Sequence, residues 1–191
     1  MAKFMIQAET VTDVQLAELA EQVAHHLKSE GIFLVTAESC TGGWLAKLLT
    51  DVIGSSHWFE RGFVTYSNES KQELLGVEAA TIQEQGAVSE ATVRAMARGA
   101  LKHSHARISV AISGIAGPGG ASADKPVGTV WFAWGYRDGG RPTGEIRVNS
   151  HSCLFDGDRD RVRRQAVAHA MQVLLELIPQ VGGQGHGNTG H

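Results

Sequence analysis

The apolar positions along the chain switch repeatedly between helical and strand spacing. Thr12 followed by Gln15 has the form of a capping box. Leu16, Leu19, Ala20, Val23 and Leu27 then recur one helical turn apart, with Gly31 just past the end. Ile32-Phe33-Leu34-Val35 is an unbroken apolar run, the pattern of a fully buried strand. After Thr36-Ala37-Glu38-Ser39-Cys40-Thr41-Gly42-Gly43, the segment from Trp44 to Leu49 predicts a helix that stops near Gly54. Phe59 to Tyr66 is β-prone and ends in the polar cluster Ser67 to Ser70; Lys71 to Leu75 predicts a short helix closed by Gly76. Ser89 caps a helix with Val93, Met96, Ala97 and Ala100 on one face. Ile108 to Ile112 reads as a strand that runs into the glycine-rich loop Ser113 to Gly120. Gly128 to Trp134 and Gly144 to Val148 read as two strands joined through Asp138-Gly139-Gly140, a hairpin signal. The last helix begins near Asp158 and carries Val162, Ala166, Ala170, Val173, Leu174 and Leu177 on one stripe.

This order predicts an α/β fold, a three-layer α/β/α sandwich with a mixed, mostly parallel sheet and an antiparallel pair near its end. Residues 1–181 are expected to form a single domain, and the Gly/His-rich stretch 182–191 a flexible tail. At 191 residues the chain is long enough for one real core. Its 17 basic and 20 acidic residues are nearly balanced, which argues against a nucleic-acid-wrapping surface. No run approaches the roughly eighteen apolar residues of a membrane span, and the first residues lack the pattern of a signal peptide. Two cysteines, Cys40 and Cys153, are too few for a disulfide framework, so a cytoplasmic protein with reduced thiols is expected. A homo-oligomer is also expected, with exposed Trp or Phe in the Trp131 to Trp134 strand as the mark of a dimer face.

Three segments each follow a strand and are rich in small or hydroxylated residues: Glu38–Gly43, Tyr66–Lys71 and Ser113–Gly120. In open α/β sheets ligands bind beyond the carboxyl ends of parallel strands, so the three predict one shared pocket. Ser39 stands at a strand-to-helix turn, where free backbone N–H groups and the helix dipole favour negative charge. Gly42 and Gly43 would let a ligand approach the backbone. A serine needs a base to become a nucleophile, and Lys71 serves if burial lowers its pKa. Tyr66 would relay the proton or donate to an oxyanion. An ordinary N-cap, a solvated lysine and a strand-end tyrosine are the bland alternatives.

Other chemistry finds less support. Cys40 lacks a neighbouring His motif to activate it. His103 and His105 would face opposite ways on a helix, and His186 and His191 lie in the tail, so no metal ligand set emerges. Asp156 to Asp160 starts like a calcium loop, but Arg161 and Val167 stand where glycine and glutamate are required. The Gly114 to Gly120 loop has neither phosphate-loop nor dinucleotide spacing. Arg159, Arg161, Arg163 and Arg164 crowd the start of the last helix, either as a phosphate anchor or as a solvated face paired with aspartates.

Several ordered blocks carry a family resemblance. They are Ala37 to Gly43, Gly62 to Asn68 with Lys71, Gly86 to Ser89, Ser113 to Pro118, and Lys125 to Trp131. Over about Leu16 to Leu177 the chain resembles the CinA C-terminal domain family, in particular its stand-alone members without the separate N-terminal domain. The resemblance implies hydrolysis of the carboxamide of nicotinamide mononucleotide to nicotinate mononucleotide and ammonia, in pyridine nucleotide salvage. It implies Ser39 as nucleophile through an acyl-enzyme, Lys71 as base and Tyr66 assisting. Backbone N–H groups near Thr41, Gly42 and Gly43 would hold the oxyanion, an effect of roughly 3–4 kcal/mol per donor. Glu38, Asn68, Ser113, Gly114 and Gly117 would border the nucleotide, and Arg159 or Arg164 would meet its phosphate. No metal or organic cofactor is expected. A non-catalytic nucleotide-binding module, tied to competence or DNA damage, and a hydrolase of a different amide are the alternatives.

Overall fold

The computed structural model describes residues 4–5, 11–138 and 144–183. Strands β1 (Phe4–Met5), β2 (Leu34–Glu38), β3 (Phe59–Val64), β4 (Ile108–Gly114), β5 (Thr129–Arg137) and β6 (Ile146–Leu154) form one sheet. Their spatial order is β1-β6-β5-β4-β2-β3. Pairing is parallel within β3-β2-β4 and between β1 and β6, and antiparallel through β4-β5-β6. The α/β/α sandwich with a mixed sheet is therefore present.

Helices cover both faces. Helices α1 (Asp13–Glu30), α2 (Trp44–Asp51) and α6 (Arg159–Gly182) pack on one; α3 (Asn68–Leu75), α4 (Ala79–Gln85) and α5 (Glu90–Lys102) pack on the other. The two faces differ in side-chain size because strand residues alternate. Toward α1 and α6 the sheet presents Ile108, Val110, Ile112, Val130, Phe132 and Trp134. Toward α5 it presents a floor of small residues, with Ala37, Ala111, Ala133 and Ser150 in cross-strand register. That floor lets α5 settle close. A Cβ on Gly135 would lie 2.6 Å from Ser109 Oγ, and one on Gly99 of α5 would lie 1.9 Å from the Leu75 carbonyl of α3. Gly99→Ala must therefore push α3 away, and overpacking of this kind costs about 1–3 kcal/mol. A fall of roughly 3–10 °C in melting temperature is expected on thermal unfolding.

The capping box of Thr12 and Gln15 and the left-handed Gly31 bound α1 as expected. Several boundaries differ from the sequence reading. Strand β2 begins two residues late and runs through Thr36-Ala37-Glu38, because that segment is paired on both sides, with β3 and with β4. Helix α2 ends at Asp51 rather than near Gly54. Helix α4 was not expected; its sequence buries only Ile82 and so lacks an apolar stripe. Strand β6 extends to Leu154 through polar residues, one of which, Ser150, is satisfied by Arg94 and Glu90 of α5. The antiparallel β5–β6 pair closes with Asp138 N–H on the Glu145 carbonyl at 3.0 Å, while Gly139 and Gly140 lie outside the described residues. Helix α6 runs through Gly182, one residue into the expected tail, and residues 184–191 lie outside the described ones.

Of the aromatics in β5, Trp131 is half-buried on the α5 face and Phe132 and Trp134 point to the opposite one. Phe132 and Trp134 are buried against α6, so they do not mark a dimer face. Among the described residues no helix is long and apolar enough to cross a membrane.

Candidate active site

The three glycine- and hydroxyl-rich segments leave the carboxyl ends of β2, β4 and β3, the three mutually parallel strands. Ser39 is fixed at that edge by continuing the sheet's hydrogen bonding. Its N–H donates to the Ile112 carbonyl at 3.0 Å, while Thr65 N–H donates to the Glu38 carbonyl at 2.8 Å. The nucleophile candidate thus sits between the ends of two neighbouring strands, on a rigid base.

The turn after it reverses sharply. Gly42 and Gly43 adopt φ of +63° and +90°, a left-handed path that favours glycine. Gly42 N–H donates back to the Ser39 carbonyl at 3.0 Å, which leaves the Cys40 and Thr41 amides without a backbone acceptor among the described residues. The Gly42 amide, one of the expected oxyanion donors, is thus already engaged.

Glu38 has a different task from the substrate contact expected of it. Its buried carboxylate accepts from the N–H groups of Leu45 and Ala46 at 3.0 and 2.8 Å, capping α2. Burial raises its pKa above 4.5 despite these amide bonds. Glu38→Ala would orphan both amides and loosen the turn that carries Ser39. A loss of about 1–3 kcal/mol is expected in denaturant unfolding.

Lys71 reaches Ser39 from α3. Ser67 caps that helix through Ser70 N–H, and Lys71 and Leu75, one turn apart, form its buried face. Helical side chains lean toward the N-terminus, and Lys71 follows this rule back over the preceding loop. Its Nζ lies 3.1 Å from Ser39 Oγ and donates to the Thr65 carbonyl at 2.8 Å. The Tyr66 and Ser67 carbonyls lie at 3.3 and 3.4 Å. Only 1% of the residue is exposed. Burial pulls its pKa below the ordinary lysine value, because a desolvated ammonium is costly. A neutral amine at this point can give its two N–H groups to these carbonyls and keep its lone pair for the serine hydroxyl. That is the arrangement of a base beside an alcohol.

The remaining expected residues fall into two groups. Arg159 joins the other two loops, its guanidinium donating to the Gly117 carbonyl and to the Tyr66 hydroxyl, each at 2.9 Å. Tyr66 is mostly exposed; only its carbonyl meets Lys71, while its hydroxyl is held by Arg159. Asn68 opens α3 and is exposed. Ser113 is turned aside, its hydroxyl donating to the Ala87 carbonyl at 2.8 Å. Gly114 and Gly117 are required by their own chain: a Cβ would lie 2.7 Å from Val130 and Val127 respectively. Arg164 is committed to Asp13 and Asp160 and lies over Trp44.

Arg163, one of the four arginines at the start of α6, reaches the turn after Ser39. It donates to the Cys40 and Thr41 carbonyls at 3.2 and 2.8 Å and lies 5.2 Å from the Trp44 ring centre. By holding those two carbonyls it orients the two peptide units that flank Thr41. Its spacing of four from Arg159, which places both on one helix face, was the available signal. Cys40 is no rival to Ser39, since burial drives its thiol up to about 12.

Comparison with known proteins agrees with this architecture. The CinA C-terminal domain family model matches residues 16–178. The nicotinamide-nucleotide amidohydrolase PncC of Escherichia coli K12 is 55% identical over 170 residues, 89% of this chain and 99% of that protein. The protein of the same name from Pseudomonas putida is 51% identical over 162 residues, 85% of this chain and 96% of that one. A crystal structure of a CinA superfamily protein from Klebsiella pneumoniae superposes with a TM-score of 0.79 at 41% identity, covering 86% of this chain and 98% of that one. The chain belongs to the CinA C-terminal domain family.

Proposed function

We propose that the protein hydrolyses the carboxamide of nicotinamide mononucleotide, giving nicotinate mononucleotide and ammonia for pyridine nucleotide salvage. The observation that carries this reading is the buried 3.1 Å contact between Lys71 Nζ and Ser39 Oγ, in a chain 55% identical to a nicotinamide-nucleotide amidohydrolase. Lys71 takes the Ser39 proton as Oγ adds to the amide carbon. The resulting ammonium then protonates the departing nitrogen, which leaves as ammonia and yields a serine ester. Water, deprotonated by the same amine, releases the acid and restores the serine. The Cys40 and Thr41 amides, without a backbone acceptor among the described residues, are the candidate donors for the oxyanion, and Arg163 holds the peptide unit that carries the Thr41 N–H through the Cys40 carbonyl.

Arg159 and Tyr66, joined at the rim, are the candidates to meet the phosphate and ribose. The chemistry calls on no metal or organic cofactor. The reading further takes residues 1–181 as one amidase domain of a cytoplasmic homo-oligomer that does not engage nucleic acid.

Incubation of the purified protein with nicotinamide mononucleotide is expected to release one ammonia per nicotinate mononucleotide formed. Saturable binding without product would identify a binding module instead. Turnover confined to other members of an amide panel would keep the chemistry and reject the substrate.

A further inference from the structure

A second cluster of reactive side chains lies on the α6 face of the sheet, within β6 and α6. His151 and Cys153 are two apart on β6 and therefore share one face of the sheet. His169 of α6 faces them. Their ligand atoms all lie within 4.8 Å of one another. The Nε2 atoms of His151 and His169 are 2.7 Å apart, and Cys153 Sγ lies 3.5 Å from His169 Nε2. Nothing in the sequence spacing links His169 to the strand, so the trio is not visible as a ligand set before the fold is known.

Hydrogen bonding alone serves this trio poorly. Each neutral imidazole nitrogen Nε2 offers either one hydrogen or one lone pair. If His169 Nε2 accepts, the His151 N–H and the Cys153 S–H compete for a single lone pair. If it donates to His151, the thiol has no acceptor there. One cation in place of these hydrogens would satisfy all three atoms together. Bonds of about 2.05 Å to nitrogen and 2.3 Å to sulfur place tetrahedral ligand atoms about 3.3 Å apart for an N–N pair and 3.6 Å for N–S. The Cys153–His169 separation already matches; the two imidazoles must part by about 0.6 Å, and the three ligand atoms, all within 4.8 Å of one another, then close around one ion.

The surroundings suit such an ion. The Phe132 ring centre is 4.9 Å from that of His169, and the Trp134 ring centre is 5.0 Å from that of His151. These rings form a rigid apolar wall behind the ligands. Cys153 is buried but the two histidines are only partly so, which leaves an approach along their edges. Two imidazoles and a thiolate are a borderline-to-soft donor set. It selects zinc-type ions over magnesium or calcium, which prefer oxygen.

We propose that His151, Cys153 and His169 bind one zinc-type divalent ion that ties β6 to α6, with water completing its coordination. The site uses no residue of the Ser39–Lys71 pair and stands independently of the amidase reading.

Cobalt(II) is the probe. Added to the chelator-stripped full chain, one equivalent is expected to give a thiolate-to-cobalt charge-transfer band and intense visible absorption of four-coordinate cobalt, both displaced by zinc(II). The histidines at 186 and 191 carry no thiolate and cannot produce that band. Cys153→Ser should abolish it and Cys40→Ser should keep it. His151→Ala, at a partly exposed position, should weaken cobalt binding by more than the roughly 10- to 100-fold expected for loss of an outer-sphere partner. It serves as the decisive variant if Cys153→Ser fails to fold. Zinc(II) should raise the melting temperature of the full chain and not that of His151→Ala. Absence of the charge-transfer band in the full chain, its survival in Cys153→Ser, or unchanged affinity in His151→Ala would overturn the assignment.

Discussion

Ser39→Ala is expected to lower ammonia release by on the order of 10⁴- to 10⁶-fold, the range seen when a hydrolase loses its nucleophile. The size follows from the geometry. Ser39 Oγ is the alcohol within hydrogen-bond reach of the buried Lys71 amine, and Cys40, one residue along, is too strongly protonated to replace it. The fold should hardly notice the change. The lost hydroxyl contributes one hydrogen bond, about 1 kcal/mol, and Lys71 Nζ keeps its carbonyl partners at Thr65, Tyr66 and Ser67. Nucleotide binding, measured by calorimetry on the inactive variant, should stay within a few fold of the original. A variant that loses rate and binding together would instead make Ser39 a binding residue.

Lys71→Met carries the second large effect, a fall in kcat of about 10²- to 10⁴-fold as general-base assistance disappears. Methionine approximates the length and shape of the stem, so the packing beside Leu75 survives. The three loop carbonyls lose their donor, and a loss of about 1–3 kcal/mol is expected in unfolding. The pH dependence is more diagnostic than the size. The base must be neutral to work, and burial sets its pKa below the ordinary lysine value. The rate of the parent protein should fall as pH drops through that lowered pKa, and this limb should vanish in Lys71→Met. Stability has a matching sign. Between the folded and unfolded pKa values of Lys71 the unfolded chain binds more protons, so its contribution to stability rises with pH across that window. A rate limb that persists in Lys71→Met belongs to another group.

The succession of strands and helices was legible because each buried face repeats at its own period: Leu16 to Leu27 in α1, Val162 to Leu177 in α6. What escaped were elements whose burial depends on neighbours. Helix α4 offers Ile82 alone, and the polar end of β6 is accommodated because α5 supplies Arg94 and Glu90. The candidate site divides in the same way. Ser39 was visible from its place between a strand and two glycines. That Lys71, 32 residues later, meets it is a consequence of α3 docking on α5 through Leu75 and Gly99, which local spacing does not encode. The family resemblance supplied that pairing. It did not show that Glu38 caps α2, or that of four neighbouring arginines Arg159 and Arg163 reach the loops while Arg164 is held by aspartates.

Acid quenching of the protein during turnover of excess nicotinamide mononucleotide, followed by peptide mass analysis, looks directly at the bond this mechanism makes. An ester of the nicotinate nucleotide on the peptide bearing Ser39, absent when Lys71 is methionine, is the result required. An acyl group on any other residue, in a protein that still turns over with alanine at position 39, would contradict it.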